Sequence, residues 1–591
     1  MKKLLLSLTL VGFGFWANSQ VICAVTSPSS IAGNYNFTWA DPAGGAWSSP
    51  DFLTPGTFVE DTLVIVNDGT PGNNTTTGYP KSIEGCNASP INSYTGKIAV
   101  LRRGTCQFGL KAYNAQQAGA IAVIVINNDN SVIAMGGGTD GPQVTIPVIM
   151  INNLDGANIL SAIQNGSVVA FIGNKNGFYP NDFGMNNGEV TYSKLSAVNS
   201  VIAQNGTDYS FKVKGMVRNF GTNAQTNVVV NAKVTRNGAT IYNQSSTPAA
   251  LPIGDSLDFV LPDFAPATYP AGRYKLTYTT TGTNTDDYAA DNTLSYEFFV
   301  SDSLLGYSKL DTVSFTPEAG NGSRPGGTTY TSYMQCINYK DANASRLMAE
   351  GIYFNFAVNA SDSITLSGQE FTVSAYEWSD IFTDLNDVAF TNAGSFNSVF
   401  NNQLASNSYY YPNTTTTDTS VYAAFNTIFE LEDNKRYLFC VSPSENKIFL
   451  GISNAYNYSA NLNEYAEPIN PINVVDATAT NPWNVVGFGS DTQPSIIVRA
   501  EANTVGINEN TTIEGAVYPN PTNGDVTLSI NAEGKATISI VDLSGKTVAS
   551  SSINIVNGKA PIAMNNLESG VYLFNVTLAN GQATQFKVVK K

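Results

Sequence analysis

Between residues 97 and 173 the apolar positions follow a strand–helix–strand rhythm that occurs twice. KIAVLRR (97–103) alternates and then runs apolar, the pattern of a half-buried strand. Phe108, Ala112, Ala115 and Ala118 recur at helical spacing, with Lys111, Asn114 and Gln117 on other faces. Alanines on the inner face let such a helix lie close to a sheet. Gly119 ends it, and AIAVIVIN (120–127) is a continuous apolar run suited to a strand buried on both faces. In the second round VTIPVIMI (144–151) predicts a strand, Asn153 a cap for a helix through Ile163, Gly166 its end and SVVAFIG (167–173) a closing strand. The expectation is a small α/β domain with at least two helices. GGGTDG (136–141) satisfies G-x-G-x-x-G, but a strand pattern follows it where a dinucleotide site needs a helix N-terminus. It is expected to be a flexible loop.

From about 190 to 300 the period becomes two. Tyr209, Phe211, Val213 alternate with polar neighbours, as do Val228, Val230, Ala232, Val234, then Tyr274, Leu276, Tyr278, and Leu294, Tyr296, Phe298. Asn237-Gly238 supplies a tight hairpin. An Ig-like β-sandwich is expected there. Between 301 and 502, GIYFNFAV, ITLSGQEFTVSAYEW, YAAFNTIFEL, RYLFCVS and SIIVRAE read as strands between polar, Asn- and Tyr-rich loops, which suits a jelly-roll-like sandwich. A polar linker (503–515) leads to strands and turn glycines over 516–591, a small terminal β-sandwich. The expected whole is multidomain and mainly β, with one α/β domain over 20–185.

Composition narrows the functional classes. Among 591 residues there are 30 Lys and Arg against 46 Asp and Glu, a net charge of −16. That balance disfavours phosphate backbones, so no nucleic acid partner is expected. MKK, a short apolar run and ANSQ form a signal-peptide pattern over 1–19, with cleavage after Ser19, and no later stretch suits a membrane span. Export places the five cysteines in oxidising surroundings. Chain position suggests two bridges, Cys86–Cys106 and Cys336–Cys440, leaving Cys23 odd. The chain contains no histidine. Ser–His–Asp, Cys–His and H-E-x-x-H chemistry all need an imidazole, and no Asp-Thr-Gly or Asp-Ser-Gly triplet signals an aspartic dyad.

GKIAVLRRGTCQFGLKAYNAQQAGAIAVIVINND, followed by TIPVIMINNLDGANIL, resembles the protease-associated (PA) domain over about 55 to 175. The resemblance implies a recognition module that holds peptides or partner proteins and carries no catalytic residues. NTDDYAADNT (284–293) resembles the acidic loop of CARDB-type adhesion modules, in which Asp286, Asp287, Asp291 and Asn292 would offer oxygens to calcium; a solvated turn is the simpler reading. Pro519, Asn520 and Pro521 in YPNP, the D-x-x-G-K turn with Gly545, and the G-x-Y of Gly570 and Tyr572 mark the tail, which resembles the type A C-terminal sorting domain of the type IX secretion system of Bacteroidota. It implies as partners an outer-membrane translocon and a surface processing protease, and a destination outside the outer membrane or attached to it.

The expected function is therefore non-catalytic binding of a peptide or protein at the cell surface, with no resident cofactor. Two alternatives stand beside it: an accessory recognition subunit for a separate peptidase, or a glycan-directed protein. The last would be a binder stacking sugars on Trp378 and exposed tyrosines, or a hydrolase using two of Glu370, Glu377, Asp380 and Asp384.

Overall fold

The computed structural model describes residues 20–318, 321–325, 330–358, 364–378, 384–385, 387, 402–412, 420–476, 483–487, 489–503, 515–579 and 583–591. Residues 1–19, expected to form a signal peptide, and most of the expected linker lie outside the described residues. The chain forms two compact units, one ending at Ala502 and one spanning Asn503–Lys591.

The first unit begins with an eight-stranded sheet. Strands Phe58–Ile65, Ile98–Arg102, Ala122–Ile126 and Val148–Ile151 pair in parallel at its centre. Val169–Asn174 and Val21–Ser27 extend one side antiparallel, and Phe37–Trp39 caps the other. Helix Phe108–Gln117 makes the crossover from Ile98–Arg102 to Ala122–Ile126, and helix Asn153–Asn165 leads from Val148–Ile151 to the antiparallel Val169–Asn174. A parallel sheet must be covered on both faces, and all five residues of Ile98–Arg102 are buried, so this strand is not half-buried as its alternation suggested. The second helix is capped by Asn152, whose side chain accepts from Asp155 N at 2.8 Å, not by Asn153. Asn152 is the last residue with extended backbone, and the cap sits one residue earlier than the apolar period indicates.

Next come two β-sheets packed face to face. One has the order Ala197–Asn199, Thr293–Ser301, Gly272–Thr281, Gln225–Arg236, Ala239–Ser245. The other runs Ser256–Phe264, Phe211–Asn219, Phe183–Gly184. Asn237 and Gly238 both take positive φ and form the expected hairpin. Beyond 301, a six-stranded sheet centred on Glu370–Trp378, Arg436–Pro443 and Tyr330–Lys340 is accompanied by two four-stranded sheets. The strand expected from Ile364 starts at Glu370, because Gly368 turns the chain with φ +73°. One hydrophobic cluster, from Phe183 to Ala500, runs through both β regions.

The second unit is a small two-sheet β structure. Gly515–Tyr518, Val526–Ile530 and Lys559–Ile562 form one sheet, and Thr547–Ile555, Gly534–Asp542, Gly570–Leu578 and Ala583–Lys590 the other. Leu528, Ile538, Phe574 and Val576 fill its core.

Candidate functional site

A groove of about 420 Å³ opens on the α/β part, lined by Arg103, Gly104, Cys106, Gln107, Phe108, Gly136 and Gly138. Its floor is the segment that leaves the carboxyl end of Ile98–Arg102 and enters helix Phe108–Gln117. In open α/β sheets the carboxyl ends of strands are where ligand crevices form.

This segment is held from four sides. The Cys86–Cys106 disulfide ties it to the preceding loop. Behind it Glu84, 2 % exposed, accepts from Asn74 Nδ2 at 2.7 Å, Thr105 N at 2.9 Å and Thr105 Oγ1 at 3.1 Å. Burial pushes the Glu84 carboxyl up, but these hydrogen bonds and Lys111 outweigh it and hold the group below its usual range. Lys111, fully buried, donates to Glu84 O at 2.7 Å and lies 3.5 Å from Cys86 Sγ. Gly104 is required by this close packing, since a Cβ there would sit 2.0 Å from Glu84 Cδ. Arg103 donates to Asn127 Oδ1 at 3.0 Å, with its guanidinium 6.0 Å from the Phe108 ring centroid. Arg102 turns inward over Tyr79, 3.5 Å from the ring centroid.

The opposite wall is the glycine loop, which three hydrogen bonds tie to its surroundings and to itself. Gly137 N donates to Gly45 O at 2.7 Å, Gly141 N to Gly137 O at 2.9 Å, and Thr139 N to Gln107 Oε1 at 3.3 Å. A Cβ on Gly109 would stand 1.9 Å from Gly137 O, so glycines on both sides let loop and helix touch. A short 3₁₀ turn, Gly141–Gln143, follows in place of a nucleotide-binding helix.

The other candidate residues fall elsewhere. Asp286 accepts from Phe183 N at 3.0 Å and Tyr288 N at 2.7 Å, Asp287 from Asn181 N at 2.8 Å, and Asp291 contacts Lys175 at 2.9 Å. The acidic loop thus clasps the segment entering the sandwich. Among the described residues no group of three or more His, Cys, Asp or Glu side chains is placed to hold a metal. Trp378 is 1 % exposed and belongs to the core. Glu370 and Glu377 stand on one strand, seven residues and hence about 23 Å apart at ~3.3 Å per residue. A glycosidase pair requires ~5 to 9.5 Å. Asp384 is exposed, and Asp380 lies outside the described residues. Cys336 and Cys440 face each other across adjacent strands as a disulfide, while Cys23 is buried and unpaired, its thiol pushed up to about 12 by burial and then by Asp155. A second cleft, of about 560 Å³, contains Arg273, Lys275, Glu297, Lys309 and Glu318, but Arg273 pairs with Glu297 and Lys309 with Glu318.

In the terminal unit the motif residues set turns and edges. Asn520 bridges to the last strand, donating to Lys587 O at 2.7 Å and accepting from Val589 N at 2.8 Å, with Pro519 and Pro521 on either side. Gly545 takes φ +83° in the turn organised by Asp542, which accepts from Ser544 N at 2.8 Å and Lys546 N at 3.1 Å. Gly570 opens a strand whose buried Tyr572 donates to Glu568 O at 2.8 Å.

Residues 59–159 match the PA domain family, and residues 516–591 the secretion system C-terminal sorting domain. The chain is 36% identical over 89 residues to the minor extracellular protease Vpr of Bacillus subtilis, covering 15% of this chain and 10% of that protein. It is 38% identical over 78 residues to a probable leucine aminopeptidase 2 of Aspergillus fumigatus, 13% of this chain and 16% of that one. The chain therefore spans less than a fifth of the length of either relative. Among solved structures, the aminopeptidase from Aneurinibacillus sp. strain AM-1 aligns over 26% of this chain and 30% of its own, at 19% identity and a TM-score of 0.19. Among the described residues no helix is long and apolar enough to cross a membrane. The chain carries a PA domain and, at its far end, a type IX secretion sorting domain, and is thereby a protein exported to the cell surface or beyond.

Proposed function

We propose that the protein is a non-catalytic binder whose PA domain seats an extended peptide or protein segment in the Arg103–Phe108 groove. The observation that carries this reading is the way the groove is built. A disulfide, a buried carboxylate and a buried lysine fix one wall, and a pinned glycine loop fixes the other. A preformed groove spends little binding energy on ordering itself. Arg103 offers donors to peptide carbonyls or carboxylates, and Phe108 offers an apolar edge.

The absence of histidine from the whole chain supports recognition without cleavage. The matched peptidases resemble this chain only over the PA region, so what they share with it is the recognition module. The type IX tail delivers that module to the outside of the cell.

The test is peptide-array and calorimetric binding with the full chain. Arg103→Ala and Phe108→Ala are each expected to weaken the best peptide at least tenfold, about 1.4 kcal/mol. Unchanged affinity in both variants would refute the assignment of the groove.

A further inference from the structure

Where the PA domain hands over to the first sandwich, three ionisable side chains meet away from water. Lys175 directly follows strand Val169–Asn174, Asp182 directly precedes strand Phe183–Gly184, and Asp291 comes from the far end of the sandwich sequence. Lys175 and Asp182 are fully buried, and the Asp291 side chain is 10% exposed. Lys175 Nζ lies 2.6 Å from both Asp182 oxygens and 2.9 Å from Asp291 Oδ2. The rings of Phe220 and Tyr288 wall the amine in, each with its centroid 4.4 Å away. Gly184 makes room for the third group, since a Cβ there would stand 2.3 Å from Asp291 Cγ. Asp291 Oδ1 is buried with no hydrogen-bond partner.

One ammonium cannot neutralise two buried carboxylates, and an excess charge in such a place is relieved by holding a proton. Burial pushes Asp182 up to about 7, against the pull of Lys175, and burial raises Asp291 as well. The acid form of one carboxyl is therefore populated near neutral pH. An amine 2.6 Å from both oxygens of a carboxyl lies about 3 Å from its carbon, so distance favours bond formation, and attack follows once the carboxyl turns its face to the nitrogen.

We propose that Lys175 and Asp182 join through a self-formed isopeptide bond, with Asp291 as the proton carrier. The Lys175 ammonium gives a proton to the Asp291 carboxylate, and the freed amine attacks Cγ of protonated Asp182. The tetrahedral adduct collapses as its hydroxyl takes a proton from Asp291 and leaves as water. Nitrogen then passes its second proton to Asp291, so an N–C bond has formed, a C–O bond has broken and one water is released with no redox change. The bond staples the exit of the α/β sheet to the entry of the sandwich.

Trypsin decides the matter on the purified full chain. The wild type is expected to resist cleavage at Lys175 and to yield residues 112–194 as one peptide, one water lighter than its sequence. Asp291→Ala is expected to be cut at Lys175 with no loss of mass. Ordinary cleavage at Lys175 in the wild type overturns the proposal, and this outcome needs no variant to fold. Water loss with cleavage intact, which an aspartimide elsewhere in the peptide would give, overturns it too, as does a cross-link to the peptide 276–309 that contains Asp291.

Discussion

At the scale of single residues the PA groove is held by groups that do not line it. Burial pushes the Lys111 ammonium down from 10.5 to about 8, opposed by Glu84 and then Asp68. Between those two values the unfolded chain binds more protons than the native one, so stability rises with pH across that window. Below about 8 the full penalty of burying the charge remains. Lys111→Met should therefore gain on the wild type most near neutral pH, and the gap should move by on the order of 3 kcal/mol as pH rises from 8 to 10.5. Thermal melts of both proteins at stepped pH read this slope whatever the absolute cost of the substitution, and parallel curves would exclude it. Gly104→Ala is the companion test. Its Cβ must displace Glu84, so it should cost about 1–3 kcal/mol in denaturant titration and weaken peptide binding as well.

At the scale of elements, the sequence shows what periodicity can carry. Phe108, Ala112 and Ala115 place the first PA helix to within a residue, and the Asn237-Gly238 turn fixes its hairpin. What periodicity cannot show is which neighbours a strand acquires. Ile98–Arg102 alternates at its start like a surface strand, yet parallel partners on both edges and helices over the sheet bury it entirely. The role of Glu84 was invisible for the same reason. It sits in an unremarkable polar stretch and becomes central only once the Cys86–Cys106 bridge brings it under Gly104. The acidic loop is the converse case: its resemblance offered calcium beside the simpler reading of a solvated turn, and in the fold Asp286 and Asp287 accept from Phe183, Tyr288 and Asn181 while Asp291 meets Lys175. Cys336 and Cys440 stand opposite each other on paired strands 104 residues apart in sequence. Replacing both with alanine should destabilise the first unit by about 2–5 kcal/mol, measured as a shift of the denaturation midpoint.

At the scale of the molecule, the PA domain and the sorting domain reside in separate compact units. Removing 515–591 should abolish arrival at the cell surface while leaving the melting temperature of the first unit unchanged. Fractionation and calorimetry on the same truncated chain separate the two effects. The central claim is that the exported PA domain holds a segment of polypeptide that the chain does not cut. The most direct measurement incubates the purified full chain with a peptide library at neutral pH and recovers bound and free peptides by mass spectrometry. Peptides retained through the Arg103–Phe108 groove and recovered at full length are the predicted result; fragments that accumulate in proportion to the protein added would contradict it.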